Sequence, residues 1–397
     1  MKRTLIILAV LIALFGAGAF TLAWSGIYNV AASTGHLAVT RWFLEFGMRN
    51  SVETHALGIE VPPLDDPSLF YRGLGHYQGG CAPCHGAPGE GRNPITRQML
   101  PPPPYLANTI EHWSAAELFW IVKHGIKYAG MPAWVAQQRD DEVWAVVAFL
   151  QRLPEMEPEE YRRVSESQAT SQIEGTPEER ARLLAVAGSA GESLVACARC
   201  HGLRGAGGGE GGFPRLAGQS FEYLQHALES YAVGSRPSGI MQPVAAELSE
   251  AERRNIAEYY AGIEDAPYPP KPQVADRETL QQGAALVANG APEQGVPACV
   301  TCHGPSAAVA PDPVYPSLVG QYAEYIALQL ELWRSGKRGG GSYSEIMATI
   351  AEQLTDEQIR AVSLYYASLR PGEAPQAAAE SLGERLDAPS VVPDDRN

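Results

Sequence analysis

All six cysteines of this 397-residue chain belong to three copies of one pentapeptide pattern. The copies are Cys81-Ala-Pro-Cys84-His85, Cys197-Ala-Arg-Cys200-His201 and Cys299-Val-Thr-Cys302-His303. In this pattern the two thiols can bond the two vinyl groups on one edge of a porphyrin, and the adjacent histidine meets the iron from the proximal side. The spacing therefore predicts three covalently bound c-type haems, each with its histidine as an iron ligand.

Two other chemistries of paired cysteines fit the sequence less well. A zinc site takes four ligands from two such pairs, usually about 15–20 residues apart, whereas these motifs are more than a hundred positions apart. A thioredoxin-like dithiol sits in a βαβ setting, and the sequence shows no such pattern. Because no cysteine is left over for a disulfide or a nucleophile, no catalytic residue is predicted.

A methionine follows each motif at a similar distance, 40 to 46 positions after the histidine. These methionines are Met131, Met241 and Met347. A single methionine usually fills a gap in a core, but recurrence after all three motifs favours ligation of the second axial position of the iron. Met99 is a weaker candidate for the first iron, and His124 and His226 are the histidine competitors.

A second element repeats between each motif and its methionine. It reads Pro-x-Leu and begins at Pro104, Pro214 and Pro316. A ligating histidine usually donates its other ring N–H to a carbonyl, which fixes the ring. Since proline fixes the local φ, we expect these segments to hold such a carbonyl in place.

Helices must frame each unit, because the apolar residues recur at helical spacing. The last helix of each unit is predicted to carry an apolar stripe along one face. The stripe residues are, unit by unit, Val143, Val147 and Leu150; Ile256, Tyr259, Tyr260 and Ile263; and Ile359, Val362, Tyr366 and Leu369. Capping boxes at Ser114, Ser249 and Thr355 predict three helix starts. Together these patterns predict a mostly α-helical fold.

The N-terminus carries Lys2 and Arg3 before an uncharged run over residues 4–24, about the length that spans a bilayer. The positive flank stays inside, so the rest of the chain is exported. The sequence thus predicts a single-pass anchor in the inner membrane with the protein on the periplasmic side. Ala17-Gly18-Ala19 resembles a signal-peptidase site, so a soluble periplasmic form after cleavage is the alternative.

The formal net charge of −15 leaves no basic stripe to neutralise phosphates, so no nucleic-acid partner is expected. Either solubility or steering toward a basic redox partner accounts for the acidity.

Composition shifts divide the chain into eight segments. They are an anchor or signal (1–24), a juxtamembrane segment (25–64), a first domain (65–155), a polar linker (156–178), a second domain (179–265), a proline-rich linker (266–275), a third domain (276–370) and a disordered tail (371–397). The juxtamembrane segment has helical spacing and is interpreted as a connecting helix, or as one that lies along the membrane or a partner.

Over residues 65–370 the chain resembles three tandem class I c-type cytochromes. "CARCHGLRGAGGGEGGFPRLAGQSF" and "YPSLVGQYAEYIALQLELWRSGKR" resemble the diheme cytochrome c4 group, and "CAPCHGAPG" with "IKYAGMPAW" resembles membrane-anchored monohaem cytochromes c. The resemblance implies three all-α domains behind the transmembrane helix. It also implies ligation by His85 with Met131, His201 with Met241, and His303 with Met347. The third unit lacks the Gly-x-Gly bend after its motif, so we expect the loop covering its haem to differ from that of the other units.

Histidine–methionine ligation fills both axial positions of the iron and raises the reduction potential relative to two histidines. We therefore expect a membrane-tethered periplasmic triheme electron carrier rather than an enzyme. It would take electrons from a respiratory dehydrogenase or quinol-oxidising complex and deliver them to a terminal oxidase or small carrier, either alone or as a subunit of an oxidoreductase complex. The alternative is a haem enzyme, a peroxidase or sulfur-compound dehydrogenase, with one labile axial ligand.

Overall fold

The computed structural model of the chain describes residues 2–170, 191–264, 266–269, 272, 276–304, 312–341 and 343–370. Within those ranges the regular structure is helical, and the only β-type pairings are three isolated bridges, Ile126–Met131, Gly208–Phe213 and Ala291–Val296. The predicted all-α class is confirmed. The predicted disordered tail, 371–397, lies outside the described residues.

The α-helices follow one another along the chain in three groups that correspond to the three motif-bearing units. In chain order they are α1 (Lys2–Ser25), α2 (Ala38–Ala56), α3 (Pro67–His76), α4 (Ala82–His85), α5 (Pro94–Arg97), α6 (Ala115–His124), α7 (Asp140–Arg152), α8 (Pro158–Thr170), α9 (Gly191–His201), α10 (Phe221–Ala232), α11 (Met241–Glu247), α12 (Glu250–Ala261), α13 (Arg277–Asn289), α14 (Val300–His303), α15 (Ala323–Arg334), α16 (Ser344–Gln353) and α17 (Asp356–Ser368). A π-helical turn, Tyr77–Cys81, joins α3 to α4.

Helix α1 is the one helix among the described residues that is long and apolar enough to cross a membrane. None of its 24 residues is buried. Helix α2 behaves differently along its length: Trp42 and Phe46 are exposed, whereas Val52 is buried. The ring of His55 lies 5.4 Å from that of Trp120 in α6. The C-terminal half of α2 therefore packs on the first unit.

Two glycines allow close crossing of the first and last helices of a unit. A Cβ atom at Gly73 of α3 would collide with the carbonyl oxygen of Ala145 in α7, and one at Gly283 of α13 would collide with that of Ala361 in α17. Because glycine has only a hydrogen atom as its side chain, the backbones of the two helices can touch at both positions. Units one and three therefore share the same helix crossing.

Replacing Gly73 by alanine should lower the stability of the first unit by about 1–3 kcal/mol, because the added methyl group has no space beside the α7 backbone. Gly47→Ala is the matched control, since Gly47 is also helical but has nothing within 4 Å of the new Cβ. That change should be neutral or stabilise by about 0.5–1 kcal/mol. Thermal unfolding followed by circular dichroism checks the pair; equal shifts would contradict the close crossing.

The three predicted capping boxes are confirmed. The side chains of Ser114, Ser249 and Thr355 each accept a hydrogen bond from the backbone N–H three residues later. The side chain at that later position accepts a hydrogen bond from the backbone N–H of the capping residue. The predicted stripes lie on α7, α12 and α17, with Val147 and Tyr366 fully buried, but Ile263 and Leu369 lie just beyond the ends of α12 and α17. Local sequence signals therefore account for the helices that frame each unit.

The predicted linker 156–178 differs from the structure at its beginning. Helix α8 occupies residues 158–170, and Met156 and Tyr161 are buried in the core of the first unit. The Tyr161 ring lies 6.5 Å from that of Tyr77. Tyr161 and Val164 of α8 both pack on this core, so the first unit extends past residue 155. Residues 171–178 lie outside the described residues.

The described part of the proline-rich linker, 266–269, is held between units two and three. The carbonyl oxygens of Pro267 and Pro269 accept from the guanidinium groups of Arg215 and Arg370. Both guanidinium groups also contact the ring of Tyr268, at 3.9 and 5.3 Å from its centroid. The segment is therefore part of the contact between the units.

Candidate haem sites

Each motif histidine is the last residue of a helix, in α4, α9 and α14. The glycine that follows has a positive φ: 79° at Gly86, 75° at Gly202 and 63° at Gly304. This left-handed backbone favours glycine and ends a helix. The conformation explains why glycine follows the histidine in all three motifs.

The three histidines make the same hydrogen bond through Nδ1. The pairs are His85 with the carbonyl of Pro104 at 2.9 Å, His201 with that of Pro214 at 3.1 Å, and His303 with that of Pro316 at 2.9 Å. The predicted role of the Pro-x-Leu segments is thus confirmed. Because a carbonyl only accepts, Nδ1 carries the hydrogen and Nε2 is left to bind a metal. Burial lowers the pKa of each histidine, which favours the neutral imidazole that iron requires.

The thiols of the motifs lie in apolar surroundings. Burial raises the pKa of Cys81 and Cys197 to about 12 and that of Cys299 to about 11. A redox-active dithiol needs a lowered pKa, so these pairs do not fit that chemistry. The described part of the chain also holds no cluster of three or more histidine, cysteine, aspartate or glutamate side chains that could hold a metal ion.

An apolar cleft between the third unit and the adjoining face of the second brings together the residues predicted for the third site. Cys299, Cys302, His303 and Met347 all line it. The Nε of Arg338 and the Nε1 of Trp333, also in the cleft wall, are buried without a hydrogen-bond partner. The side chains predicted to attach and ligate the third haem thus line one space, with unpaired donors at its wall.

Two arginines give this cleft a positive region beside the second unit. Arg236 donates to Tyr325 Oη and Gln329 Oε1, each at 3.1 Å. The Arg338 guanidinium lies 3.6 Å from the centroid of the Trp333 ring, and burial together with Arg236 lowers its pKa to about 10. Guanidinium groups suit the two propionate carboxylates of a porphyrin. The residues present therefore fit a covalently attached haem.

The structure places Met131 and its competitor Met99 in the same region of the first unit. Both are half-buried, and the methyl group of Met99 lies against Gly130. His124 is exposed at the end of α6, next to the ring of Trp120. The two methionines are thus more buried than His124, and the choice of Met131 as ligand stays a prediction.

In the second unit Met241 begins α11, and its backbone N–H donates to Ser238 Oγ at 3.0 Å. The competitor His226 faces the third unit instead, with Nε2 3.2 Å from the carbonyl oxygen of Gly340. The loop after the third motif, which departs from the family pattern, falls largely on residues 305–311, outside the described residues.

Two glutamines that the sequence analysis missed join units two and three. The amide of Gln219 bonds both backbone groups of Ser317, at 2.8 and 3.0 Å, and the amide of Gln321 bonds both backbone groups of Arg215, at 2.9 Å each. Arg215 and Ser317 follow the prolines that hold the histidines. The signal was present, since "PRLAGQ" and "PSLVGQ" place glutamine at the same position of both repeats.

Family profiles match all three units. The profile described as cytochrome c oxidase, cbb3-type, subunit III matches residues 70–150 and 189–259, and the profile described as cytochrome c matches residues 280–370. Together they include all six motif cysteines.

Several known proteins are similar to part of the chain. The thiosulfate dehydrogenase electron acceptor of Stutzerimonas stutzeri is 37% identical over 190 residues, 48% of this chain and 86% of the relative. Cytochrome c4 of Pseudomonas aeruginosa is 34% identical over 182 residues, 46% of this chain and 88% of the relative.

Two solved structures are also similar. Reduced cytochrome c4 from Pseudomonas stutzeri is 32% identical, covering 46% of this chain and 98% of its own, with a TM-score of 0.41. Thiosulfate dehydrogenase from Marichromatium purpuratum is 35% identical, covering 52% and 42%, with a TM-score of 0.42. With its haem-attachment motifs, matched profiles and extensive identity to cytochrome c4, the chain belongs to the cytochrome c family and is homologous to the diheme cytochromes c4 and the thiosulfate dehydrogenase electron acceptors.

Proposed function

We propose that this chain is a membrane-tethered periplasmic triheme cytochrome c that carries single electrons between redox proteins. The observation that carries the proposal is the cleft of the third unit, where Cys299, Cys302, His303 and Met347 converge. The repeated histidine–proline hydrogen bond extends the same design to the other two units. Bound haem supplies one-electron iron chemistry, and the chain supplies ligands, burial and position.

In this proposal each haem is attached through its two motif cysteines and held by one histidine and one methionine. The axial pairs are His85 with Met131, His201 with Met241, and His303 with Met347. Two strong axial ligands leave no iron position for a substrate, so the centre exchanges electrons without binding the molecule it oxidises. The proline carbonyl fixes each imidazole and so restricts how its iron can be ligated.

The donor we favour is a periplasmic dehydrogenase, with a quinol-oxidising complex as the other class. Support for a dehydrogenase is the 37% identity to a protein named as a thiosulfate dehydrogenase electron acceptor. The acceptor would be a terminal oxidase or a small carrier. The formal charge of −15 favours partners that present a basic surface.

Helix α1 would tether the carrier to the inner membrane. Its length of 24 residues exceeds the roughly 20 that a bilayer requires, and its apolar side chains are all exposed. Lys2 at its start suits the cytoplasmic side, which puts the haem units in the periplasm. Fractionation and mass determination of the mature N-terminus distinguish a tether from a cleaved signal.

The second candidate is a haem enzyme with one labile axial ligand. The 35% identity to a thiosulfate dehydrogenase favours considering it. All six cysteines are used by the motifs, so a cysteine-ligated centre is not available to this chain. An enzyme would have to release one of the methionines.

A spectroelectrochemical titration of the detergent-solubilised full chain, combined with haem quantitation and electron paramagnetic resonance, tests both candidates. We expect three haems per chain, all low-spin with histidine–methionine signatures, because both axial positions are filled. A stoichiometric high-spin ferric signal in the resting protein would favour the enzyme instead. Fewer than three haems in matured protein would contradict the triheme carrier.

A further inference from the structure

Units one and two meet directly beside their attachment motifs. A Cβ atom at Gly75 would lie 2.6 Å from Cζ of Phe213 and 3.1 Å from Sγ of Cys200. One at Gly79 would lie 2.7 Å from a guanidinium nitrogen of Arg199. Gly75 precedes Cys81 by six residues, or about 9 Å of helical rise. The backbone that leads into the first motif therefore rests on the second motif.

The two methionine loops meet on a neighbouring part of the same face. The indole of Trp134 packs against Gly239, so closely that glycine is required there. Trp134 lies three residues after Met131, and Gly239 lies two residues before Met241. The segments that carry the two distal ligands are thus in contact with each other.

A buried carboxylate joins these two loops. Glu142 of α7 is only 3% exposed and accepts from Ser238 Oγ and the N–H of Gly239, both at 2.6 Å, and from Trp134 Nε1 at 3.2 Å. Arg139 lies 3.2 Å from the same carboxylate and donates to the carbonyl of Pro237 at 2.7 Å. Burial raises the pKa of Glu142, while the Arg139 guanidinium opposes that rise.

A carboxylate at this depth is costly unless several donors satisfy it in one geometry. The donors of Glu142 come from both units, so they are all in place only when the units are docked as the structure shows. An interface that only shields apolar surface from water would need no buried charged group at its centre.

We infer that the face between units one and two is a fixed electron-transfer junction, and that Glu142 is the positioning residue that holds it together. The inference rests on the proposed function. In the step concerned, one electron leaves a ferrous centre in one unit and reduces a ferric centre in the other, with no proton transfer and no bond made or broken. Unit two also contacts unit three through Gln219 and Gln321. Unit two is therefore the middle of a three-centre relay within one chain.

The test measures electron exchange between the units in the full-length holoprotein. A flash-activated photoreductant is attached at Ile95→Cys, a position on the first unit that is 77% exposed. After the flash, absorbance follows the electron from the first unit to the others. The variants are Glu142→Ala and Glu142→Gln, and the control is Glu258→Gln, which removes an exposed carboxylate paired with Arg254 in unit two.

Truncating one partner of a buried, hydrogen-bonded charge pair shifts an interface equilibrium on the order of a hundredfold. We therefore expect Glu142→Ala to slow the exchange about tenfold or more, Glu142→Gln to slow it less because its amide oxygen still accepts, and the control to match the parent. Haem content, axial-ligand spectra and the three potentials should stay at parental values in every variant.

Parental exchange rates in Glu142→Gln and in any folded Glu142→Ala protein would overturn the junction. If Glu142→Ala does not fold, Glu142→Gln alone decides. This failure is distinct from failure of the proposed function, which shows itself as missing haems or a high-spin centre in the parent. Slow exchange in the parent itself, with three intact low-spin haems, would also overturn the junction and leave the carrier standing.

Discussion

Replacing Met347 by histidine should lower the reduction potential of one haem, that of the third unit, by about 300 mV, a sizeable share of the ~0.8 V that axial ligands control. Met347 lines the cleft of His303 and packs against the core of its unit. A second imidazole donates more strongly to ferric iron than a thioether does, and so lowers the potential. For a one-electron couple about 59 mV is a tenfold change in the equilibrium constant for electron transfer. The third haem would therefore be mostly oxidised when the other two are reduced.

Potentiometric titration of the purified variant measures this shift directly. Thr349→His is the matched control, because it places a histidine two residues further along α16 at an exposed position. That control should leave all three potentials unchanged. If Met347→His also left every potential within error of the parent, the distal ligand of the third unit would have to be a different residue.

Removing the third attachment motif should reduce the covalent haem content from three to two per chain. In the double variant Cys299→Ala, Cys302→Ala, no thiol remains to form thioethers. The cleft would then hold no attached haem, and the buried Trp333 Nε1 and Arg338 Nε in its wall would stay unpaired. A bound group stabilises the state that binds it, so the third unit should also melt earlier.

Mass spectrometry of the intact chain counts the haems, and a thermal scan follows the loss of helical signal. The equivalent double variant at Cys81 and Cys84 serves as the comparison, since it should remove the first haem and leave the third unit at its parental stability. Three covalent haems in the Cys299, Cys302 variant would show that another group attaches the third one.

The features that sequence predicted best are local in the chain. The motifs, the capping boxes and the Pro-x-Leu segments each act within about 20 residues, and the bond between His201 and Pro214 spans only 13 positions. The spacing of residues in the sequence was therefore enough to predict each motif histidine and its proline carbonyl partner. The distal methionines were predicted by recurrence and stay predictions, although Met347 lines the same cleft as His303.

The contacts between units escaped prediction because their partners are far apart in sequence. Glu142 and Ser238 are 96 positions apart, and Gln219 and Ser317 are 98. Glu142 also follows Asp140 and Asp141 in the first turn of α7, where acidic residues ordinarily complement the helix dipole in solvent. One of three adjacent acids is buried at an interface, and nothing in the local pattern distinguishes it.

The crossed glutamines have a consequence for dissecting the molecule. The backbone N–H and C=O of Arg215 are satisfied by the side chain of Gln321, and those of Ser317 by the side chain of Gln219. A fragment that contained only one of these units would leave one backbone N–H and one backbone C=O without their hydrogen-bond partners. Each such group that stays buried from water would cost about 1–3 kcal/mol of folding free energy. The smallest fragment that keeps these four hydrogen bonds is therefore units two and three together.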